Sequence, residues 1–426
     1  MLINCSRKQS TYGGHMQEES ITRFIGIPGY KPVNINFIDQ FGEKTDSDLK
    51  VDKVVIHLAR TRDYFTCECG RQFDSYYDMR EQFVRDLPWG AWNQVFLLLP
   101  RFRVNCPHCG IKTEPLESIV RNCTYTKRLA DVIEFACNEV RSIKAIADSF
   151  NLSWDTVKRI DRKRLDRELN PPDFSGVNII AIDEFAIRKG HEYATVFLDV
   201  DQSRVLWICR TRKKEAVEYV FTKIFGQKIC SQIKAVAMDC WGAYESAVKK
   251  HLPDAEIVWD MFHIIRNYNR DVIDRVRKQE AYGKLGRASN ELKNSRFLIM
   301  KNPKNLTGDE PAKLEELFKA NTKIFKVCMM GDVLKKLWNY KYPASARKWF
   351  KGWYKNAVKS RIAPLKSFAQ KMLKRIDGII AHCKYPVHTG ILEGVNNKIK
   401  VIKRVAYGFR DDEYFFLKVR KHFNGK

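Results

Sequence analysis

The sequence holds no apolar run of the roughly 20 residues that a membrane-crossing helix needs. It also lacks a charged-then-apolar leader at its start, which argues against export. Acidic residues are scarce: 50 Asp and Glu stand against 76 Lys and Arg, a formal net charge of +26. Such an excess implies a polyanionic partner, nucleic acid first of all, with a generally basic soluble protein as the alternative. Twelve cysteines without a secretory leader point to reduced thiols and metal binding rather than a disulfide framework, and so to the cytoplasm. At 426 residues and 44% apolar content the chain is globular and long enough for two to four cores.

What is present is organised around residues 177–201, VNIIAIDEFAIRKGHEYATVFLDVD. An apolar strand over 177–182 gives way to Asp183 and Glu184. A loop with Arg188, Lys189 and Gly190 follows, then a second strand over 193–200. The pattern predicts a β-hairpin. Carboxylates resist burial, so an acidic pair at a strand exit is either solvated or bound to something positive.

Upstream, residues 21–33 read as a short helix ending at a Pro28–Gly29 turn, and 50–59 as a strand. Cys67 and Cys69 in TCECG, and Cys106 and Cys109 in NCPHCG, form two close pairs, each followed by glycine. Strands near 82–87 and 94–103 separate them. Two such knuckles fit a four-thiolate structural zinc site; four ordinary buried cysteines are the alternative, and His108 is a possible competing ligand. The other cysteines read as core.

Residues 127–168 have helical periodicity. Within them, SIKAIADSFNLSWDTVKRIDRKR reads as a helix-turn-helix. Ile143, Ile146 and Ala147 face inward, Phe150, Asn151 and Leu152 form the turn, and Ser153 caps a second helix that buries Val157 and Ile160. Its outward face, with Trp154, Asp155, Thr156, Lys158, Arg159 and Arg162, suits a DNA groove or backbone; a plain helical hairpin is the alternative. Residues 169–176 (LNPPDFSG) read as a linker.

Beyond the hairpin come a third strand over 204–210, a helix over 213–224, a strand over 233–239 ending in Asp239, a helix over 242–251, and a strand over 256–260 ending in Asp260. Three antiparallel strands followed by strands alternating with helices is the order of an RNase H-like mixed sheet, an α/β fold whose sites form at strand ends. Residues 264–372 are basic and helical, interrupted at Pro303 and Pro311, and read as an insertion. Trp338, Trp349, Trp353 and Tyr354 in it read as core rather than base-stacking platforms.

In HTGILEGVNNKIKVIKRVAYGFR, Leu392, Val395, Ile399 and Ile402 form an inward stripe, with Thr389 as a possible cap. Glu393, Asn397, Lys400 and Arg404 share the neighbouring face. Between Arg361 and Arg410 eleven Lys and Arg accompany only Asp377 and Glu393. A lone Glu there is either a metal ligand beside DNA phosphates or a surface Glu paired with Lys. Asp183, Asp239 and Glu393 thus stand out, with Glu184 and Asp260 as rivals. Phosphodiester cleavage needs an aligned nucleophile and neutralised charge, which two divalent ions roughly 4 Å apart supply. Mg²⁺ (or Mn²⁺) accepts a few carboxylates and keeps waters.

The zinc-type cysteines, the helix-turn-helix, IDEFAIRKGHEYATVFLDVD, AVAMDCWGAYESAVKKHLPDAEIVWDMFHIIRNYNRDVIDRVR and LEGVNNKIKVIKRVAYGFRDDEYFFLKVR together resemble the DDE transposases of bacterial insertion sequences, of the ISL-three type. The resemblance spans nearly the whole chain. It implies that Asp183, Asp239 and Glu393 are the triad that binds two Mg²⁺ ions. It places Asp260 and His263 near the site in support, with a structural helix histidine as the alternative; the helix face of Glu393 adds Asn397 and Lys400 in support and Arg404 as a cation for DNA phosphates. The implied order is an N-terminal segment (1–60), a zinc-binding domain (61–125), the helix-turn-helix (126–170), an RNase H-like core (177–265 and 376–426) and a basic helical insertion (266–375). The implied activity is binding of terminal inverted repeats, cleavage that frees 3′-hydroxyls, and their direct joining to target DNA by a protein at least dimeric on DNA and associated with the nucleoid. A DNA-binding regulator without catalysis, and an RNase H-like nuclease without strand transfer, are the alternatives.

Overall fold

A computed structural model of the protein describes residues 25–39, 43, 51–90, 92–139, 141–188, 192–283, 286–387 and 389–424. Contacts divide the chain into one unit of Met1–Glu168 with Arg404–Phe409, and a second of Leu169–Lys403 with Arg410–Lys426.

In the first unit, alternation buries Val54, Ile56 and Leu58 of one strand against Val95, Leu97 and Leu99 of another, the half-buried pattern that favours sheet. The strands are β1 (Tyr30–Asp39), β2 (Val51–Arg60), β3 (Phe65–Thr66), β4 (Gln72–Phe73), β5 (Asp78–Asp86), β6 (Val95–Cys106) and β7 (Gly110–Thr113). The main sheet runs β1-β2-β6-β5, with β7 on β6, and β3 pairs β4 separately. Of the helix expected to end at Pro28–Gly29, the described part has Ile25 helical and the turn in place, while residues 30–33, beyond it, belong to a strand. After a turn at Pro28–Gly29, with Gly29 at φ +83°, Tyr30 opens β1. Tyr30 pairs with Arg60, and its buried ring sends Oη to the Pro100 carbonyl at 2.8 Å.

Three helices follow: α1 (Lys127–Ala136), α2 (Ile143–Ser149) and α3 (Trp154–Leu169). Thr126 caps α1 and Ser142 caps α2 through side-chain oxygens. Asn151, at φ 48°, makes the turn into α3.

The second unit contains β8 (Ile179–Arg188), β9 (Glu192–Asp199), β10 (Arg204–Cys209), β11 (Ala235–Met238) and β12 (Glu256–Trp259) in the order β10-β9-β8-β11-β12. The first three are antiparallel, and β8, β11 and β12 are parallel. This is the RNase H-like mixed sheet. The first strand does not break at Asp183. It continues to Arg188 against β9, whereas its pairing with β11 stops at Ile182. Asp183 is therefore an exit on one edge and mid-strand on the other. The loop residues Lys189 and Gly190 lie outside the described residues. The helix expected over 213–224 is Lys214–Tyr219 followed by a π-helical segment, Val220–Phe225.

After β11 and β12 come α4 (Gly242–His251) and α5 (Met261–Tyr268). The helical insertion shares the core of the sheet. Tyr268, Ile324, Val327, Phe350, Trp353 and Leu365 are buried in one cluster with Ile180, Ile182 and Met238. Trp353 donates Nε1 to the Met330 carbonyl at 2.9 Å, and Trp338, Trp349 and Tyr354 pack partly buried on the same cluster, so these aromatics are core. Pro303 and Pro311 each sit at N1 or N2 of a helical segment, where the missing N–H costs nothing, so they open helices rather than interrupt them. Gly378 packs against β12 so closely that a Cβ would meet Trp259 Nε1 at 2.6 Å and the Ile257 carbonyl at 2.9 Å. The chain then returns to the sheet as α6 (Thr389–Val405), whose Leu392, Val395, Ile399 and Ile402 are all buried.

Candidate active site and DNA-binding elements

Register sets the acidic row. Met238 pairs with Ile182 on one side and with Trp259 on the other. The next residue on each of these adjacent parallel strands is an aspartate: Asp183, Asp239 and Asp260. Neighbouring strands lie about 4.8 Å apart, so Asp239 stands between the other two at one level. Alternation fixes their common face. Ile180, Ile182, Val236, Met238 and Trp259 enter the large core on one side. Ala181, Ala237 and Val258 occupy the other, and the three aspartates follow two residues later on that second side.

Helix α6 covers the second side. Leu392 lines one small cavity with Ala237, Val258 and Asp260. Asn396 donates Nδ2 to Asp183 Oδ2 at 2.7 Å, and Lys403 Nζ reaches the Ala186 carbonyl at 3.2 Å. Glu393 is exposed and lies between the Leu392 and Asn396 contacts, one turn before Asn396 on the same flank. Asn397, the neighbour singled out in sequence, is exposed and accepts from Lys400 at 3.3 Å. The side chain of Thr389 lies outside the description.

Asp183 is 7% exposed. Burial pushes its carboxyl up, against the Glu184 N–H, the nearby His263 and the Asn396 amide, which favour the charged form. Asp260 caps α5 through Phe262 N at 2.9 Å and holds His263 Nδ1 at 2.8 Å. Burial draws the His263 imidazole down, but the Asp260 hydrogen bond and the charges of Asp239, Asp183 and Asp260 leave it raised overall. Glu184, one residue on, faces the opposite side of the sheet: Tyr244 Oη donates to it at 3.1 Å, and Arg212 lies 3.4 Å away.

The Asn396 carbonyl oxygen Oδ1 is buried without a hydrogen-bond partner, beside the carboxylate that its own amide holds. A buried orphaned acceptor next to hard oxygen donors fits a divalent cation or its water shell. Sequence reasoning missed Asn396; its signal was the three-residue step from Glu393. The carboxylates of Asp183, Asp239 and Glu393 do not lie within 4.8 Å of one another, as the four thiols of the first unit do.

Those thiols, of Cys67, Cys69, Cys106 and Cys109, form the one such close set among the described residues. Cys67 and Cys69 sit at the tip of the β3–β4 hairpin, Cys106 and Cys109 at the β6–β7 turn. Gly70 at φ +89° and Gly110 at φ +72° turn the backbone after each pair. Cys69 Sγ and Cys106 Sγ are 3.7 Å apart, far beyond the disulfide length of about 2.05 Å and equal to the edge of a tetrahedron with Zn–S bonds of about 2.3 Å. Burial pushes the Cys106 thiol up, but the N–H groups of Cys109 and His108 and the Cys69 and Cys67 thiols bring it to about 6. The donor set fits zinc. The His108 side chain is exposed and outside the set. Beneath it, Arg60 pairs with buried Glu114 at 2.6 Å and lies over Phe65 and Phe102.

On α3, Val157 and Ile160 are buried and Ser153 Oγ accepts from Thr156 N at 3.2 Å. Trp154 is 43% exposed with Lys158 Nζ 5.1 Å from its ring, and Arg159 is exposed. Thr156 and Lys158 are half-buried, and Arg404 is exposed. Among the described residues no helix is long and apolar enough to cross a membrane.

A family model described as a transposase, of the DDE type of family ISL3, matches residues 180–419, and the helix-turn-helix domain of transposase family ISL3 matches residues 114–165. The chain is 41% identical over 378 residues to the transposase for insertion sequence element IS1001 of Bordetella parapertussis, covering 87% of this chain and 91% of that one. It is 25% identical over 397 residues to the transposase for IS1557 of Mycobacterium tuberculosis, covering 84% and 86%. The catalytic core of BIV integrase aligns to 34% of this chain and 99% of its own at 12% identity and a TM-score of 0.17, too low to carry weight beside the strand order itself.

Proposed function

Since the chain belongs to the ISL3 family of DDE transposases, we propose that Asp183, Asp239 and Glu393 are the residues that hold its divalent ions, two Mg²⁺ or Mn²⁺. The observation that carries this is the register placing Asp183 and Asp239 level on one face, under the helix that bears Glu393. Bound there, the ions supply activation of a water or 3′-hydroxyl and neutralisation of the leaving oxygen. The chain's own part is positional. Asn396 holds the Asp183 carboxylate, and Asp260 orients His263 beside Asp239. Lys400 and Arg404 attract phosphates.

In this reading the protein cuts at the terminal inverted repeats of its element, freeing 3′-hydroxyls that attack target DNA directly. Residues 61–125 hold structural zinc on Cys67, Cys69, Cys106 and Cys109. Residues 126–170 contact the ends through Trp154, Thr156, Lys158 and Arg159, and the basic insertion, 266–375, flanks the DNA. Joining two ends calls for at least two copies on DNA, and the work lies at the nucleoid.

The test is a cleavage-and-joining assay on linear DNA carrying the element's ends. Asp239→Ala is expected to bind those ends without cutting. Undiminished cutting by that variant would overturn the assignment.

A further inference from the structure

One polar network in the second unit serves none of the roles above. Thr195 Oγ1 and Tyr244 Oη, on side chains with no exposed surface, lie 2.8 Å apart. Tyr244 Oη donates to Glu184 Oε1 at 3.1 Å, and Glu184 Oε2 faces Arg212 Nη1 at 3.4 Å. The Arg212 guanidinium lies 4.8 Å from the Tyr193 ring centre and 5.3 Å from that of Trp241. Polar groups fully buried in a core are costly unless they are satisfied and fix something in place. Here the outlet of the chain is Arg212, braced from below and on both flanks, with its side chain 43% exposed. Beside it Trp241 is 44% exposed, although tryptophan is highly buried on average.

Position gives the pair a use. Trp241 N donates to the Asp239 carbonyl at 2.7 Å, which holds the backbone of Trp241 at the exit of β11. Its Cα is two steps of about 3.8 Å from that of Asp239. A nucleotide resting on the ring therefore lies at the same end of β11 as Asp239. A flat aromatic face next to an oriented guanidinium is the chemistry that grips a nucleotide: base on the ring, phosphate on the cation. A base inside a duplex is already stacked on both sides, so the ring can take only a nucleotide that has left the helix.

We propose that Trp241 and Arg212 form a binding site for one unstacked nucleotide beside the scissile phosphate, so that the transposase opens the DNA at the cleavage point. The proposal rests on the reading of Asp239 as part of the active site.

The experiment uses the full chain with a duplex element end carrying 2-aminopurine at the nucleotide flanking the cut, in Ca²⁺ so that the strand stays whole. In the wild type the displaced probe is stacked on indole and its fluorescence stays low. Trp241→Ala is expected to raise it several-fold and to weaken binding of an end already unpaired there by about 5- to 150-fold. Trp241→Phe is expected to keep it low, and Arg212→Gln to raise it part-way. Thermal melting of each variant reports the fold, and Trp241→Leu serves if the alanine variant melts early. Fluorescence and affinity in folded Trp241→Ala or Trp241→Leu equal to wild type would overturn the proposal. Asp239→Ala, with its cutting scored separately in Mg²⁺, separates the two readings: a quenched probe without cutting supports both, and a quenched probe with full cutting sinks the catalytic assignment alone.

Discussion

Asn396 Nδ2 lies 2.7 Å from Asp183 Oδ2, so a residue on α6 holds a carboxylate on β8. A hydrogen bond to a charged group contributes about 1.5–3 kcal/mol. We predict that Asn396→Ala slows cutting by about 10- to 150-fold and weakens Mn²⁺ binding measured calorimetrically, with end binding intact. Asn396→Asp, which sets a second charge against Asp183, is expected to be at least as slow. Equal metal affinity in all three proteins would remove Asn396 from the site.

The thiol cluster makes a separable prediction. The purified protein is expected to carry one zinc per chain by elemental analysis. Cys106→Ser, which takes away the thiol held down near 6, is expected to lose it. End binding should fall with the metal. Zinc stoichiometry unchanged in Cys106→Ser would refute the four-thiolate site.

On α3 the exposed cation Arg159 predicts a salt effect. If it contacts phosphate, Arg159→Ala should weaken binding to all DNA sequences alike and reduce the slope of log K against log salt by about 0.9. Trp154→Ala should instead alter the preference for the element's own ends over unrelated DNA. An unchanged salt slope in the first variant and unchanged preference in the second would take both residues off the DNA.

Gly378→Ala tests the packing on β12 of the segment that follows the insertion. The new methyl would meet a ring nitrogen and a backbone oxygen, and the backbone cannot move aside without disturbing β12. Overpacking of this kind costs about 1–3 kcal/mol, which should appear as a lowered melting temperature. A variant as stable as wild type would mean that the contact yields more easily than its distances imply.

Much of this architecture was legible because it is written in local pattern. Asp183 and Asp239 each end an apolar run, and Asn151 and Ser153 are residues whose chemistry suits a turn and a cap. Register was not legible: nothing local shows that β8 continues to Arg188 on one edge while its pairing ends at Ile182 on the other. The stripe of Leu392, Val395, Ile399 and Ile402 located the inner face of α6 without giving its rotation finely enough to choose Asn396 over Asn397. The link from Thr195 through Tyr244 and Glu184 to Arg212 joins four separated segments and has no sequence signature.

The placement of Glu393 on α6, beyond the whole helical insertion, bears on how the element treats its host. A polypeptide ended early, by a frameshift or a protease within the insertion, would retain the cysteine cluster and α1 to α3 and both early aspartates, but not the third acid. With Glu393 as the proposed third metal ligand and the cysteine cluster and α1 to α3 as the proposed end-binding elements, such a fragment would occupy the element's ends without being able to sever them. Damaged copies of the gene would thus restrain intact ones by competition.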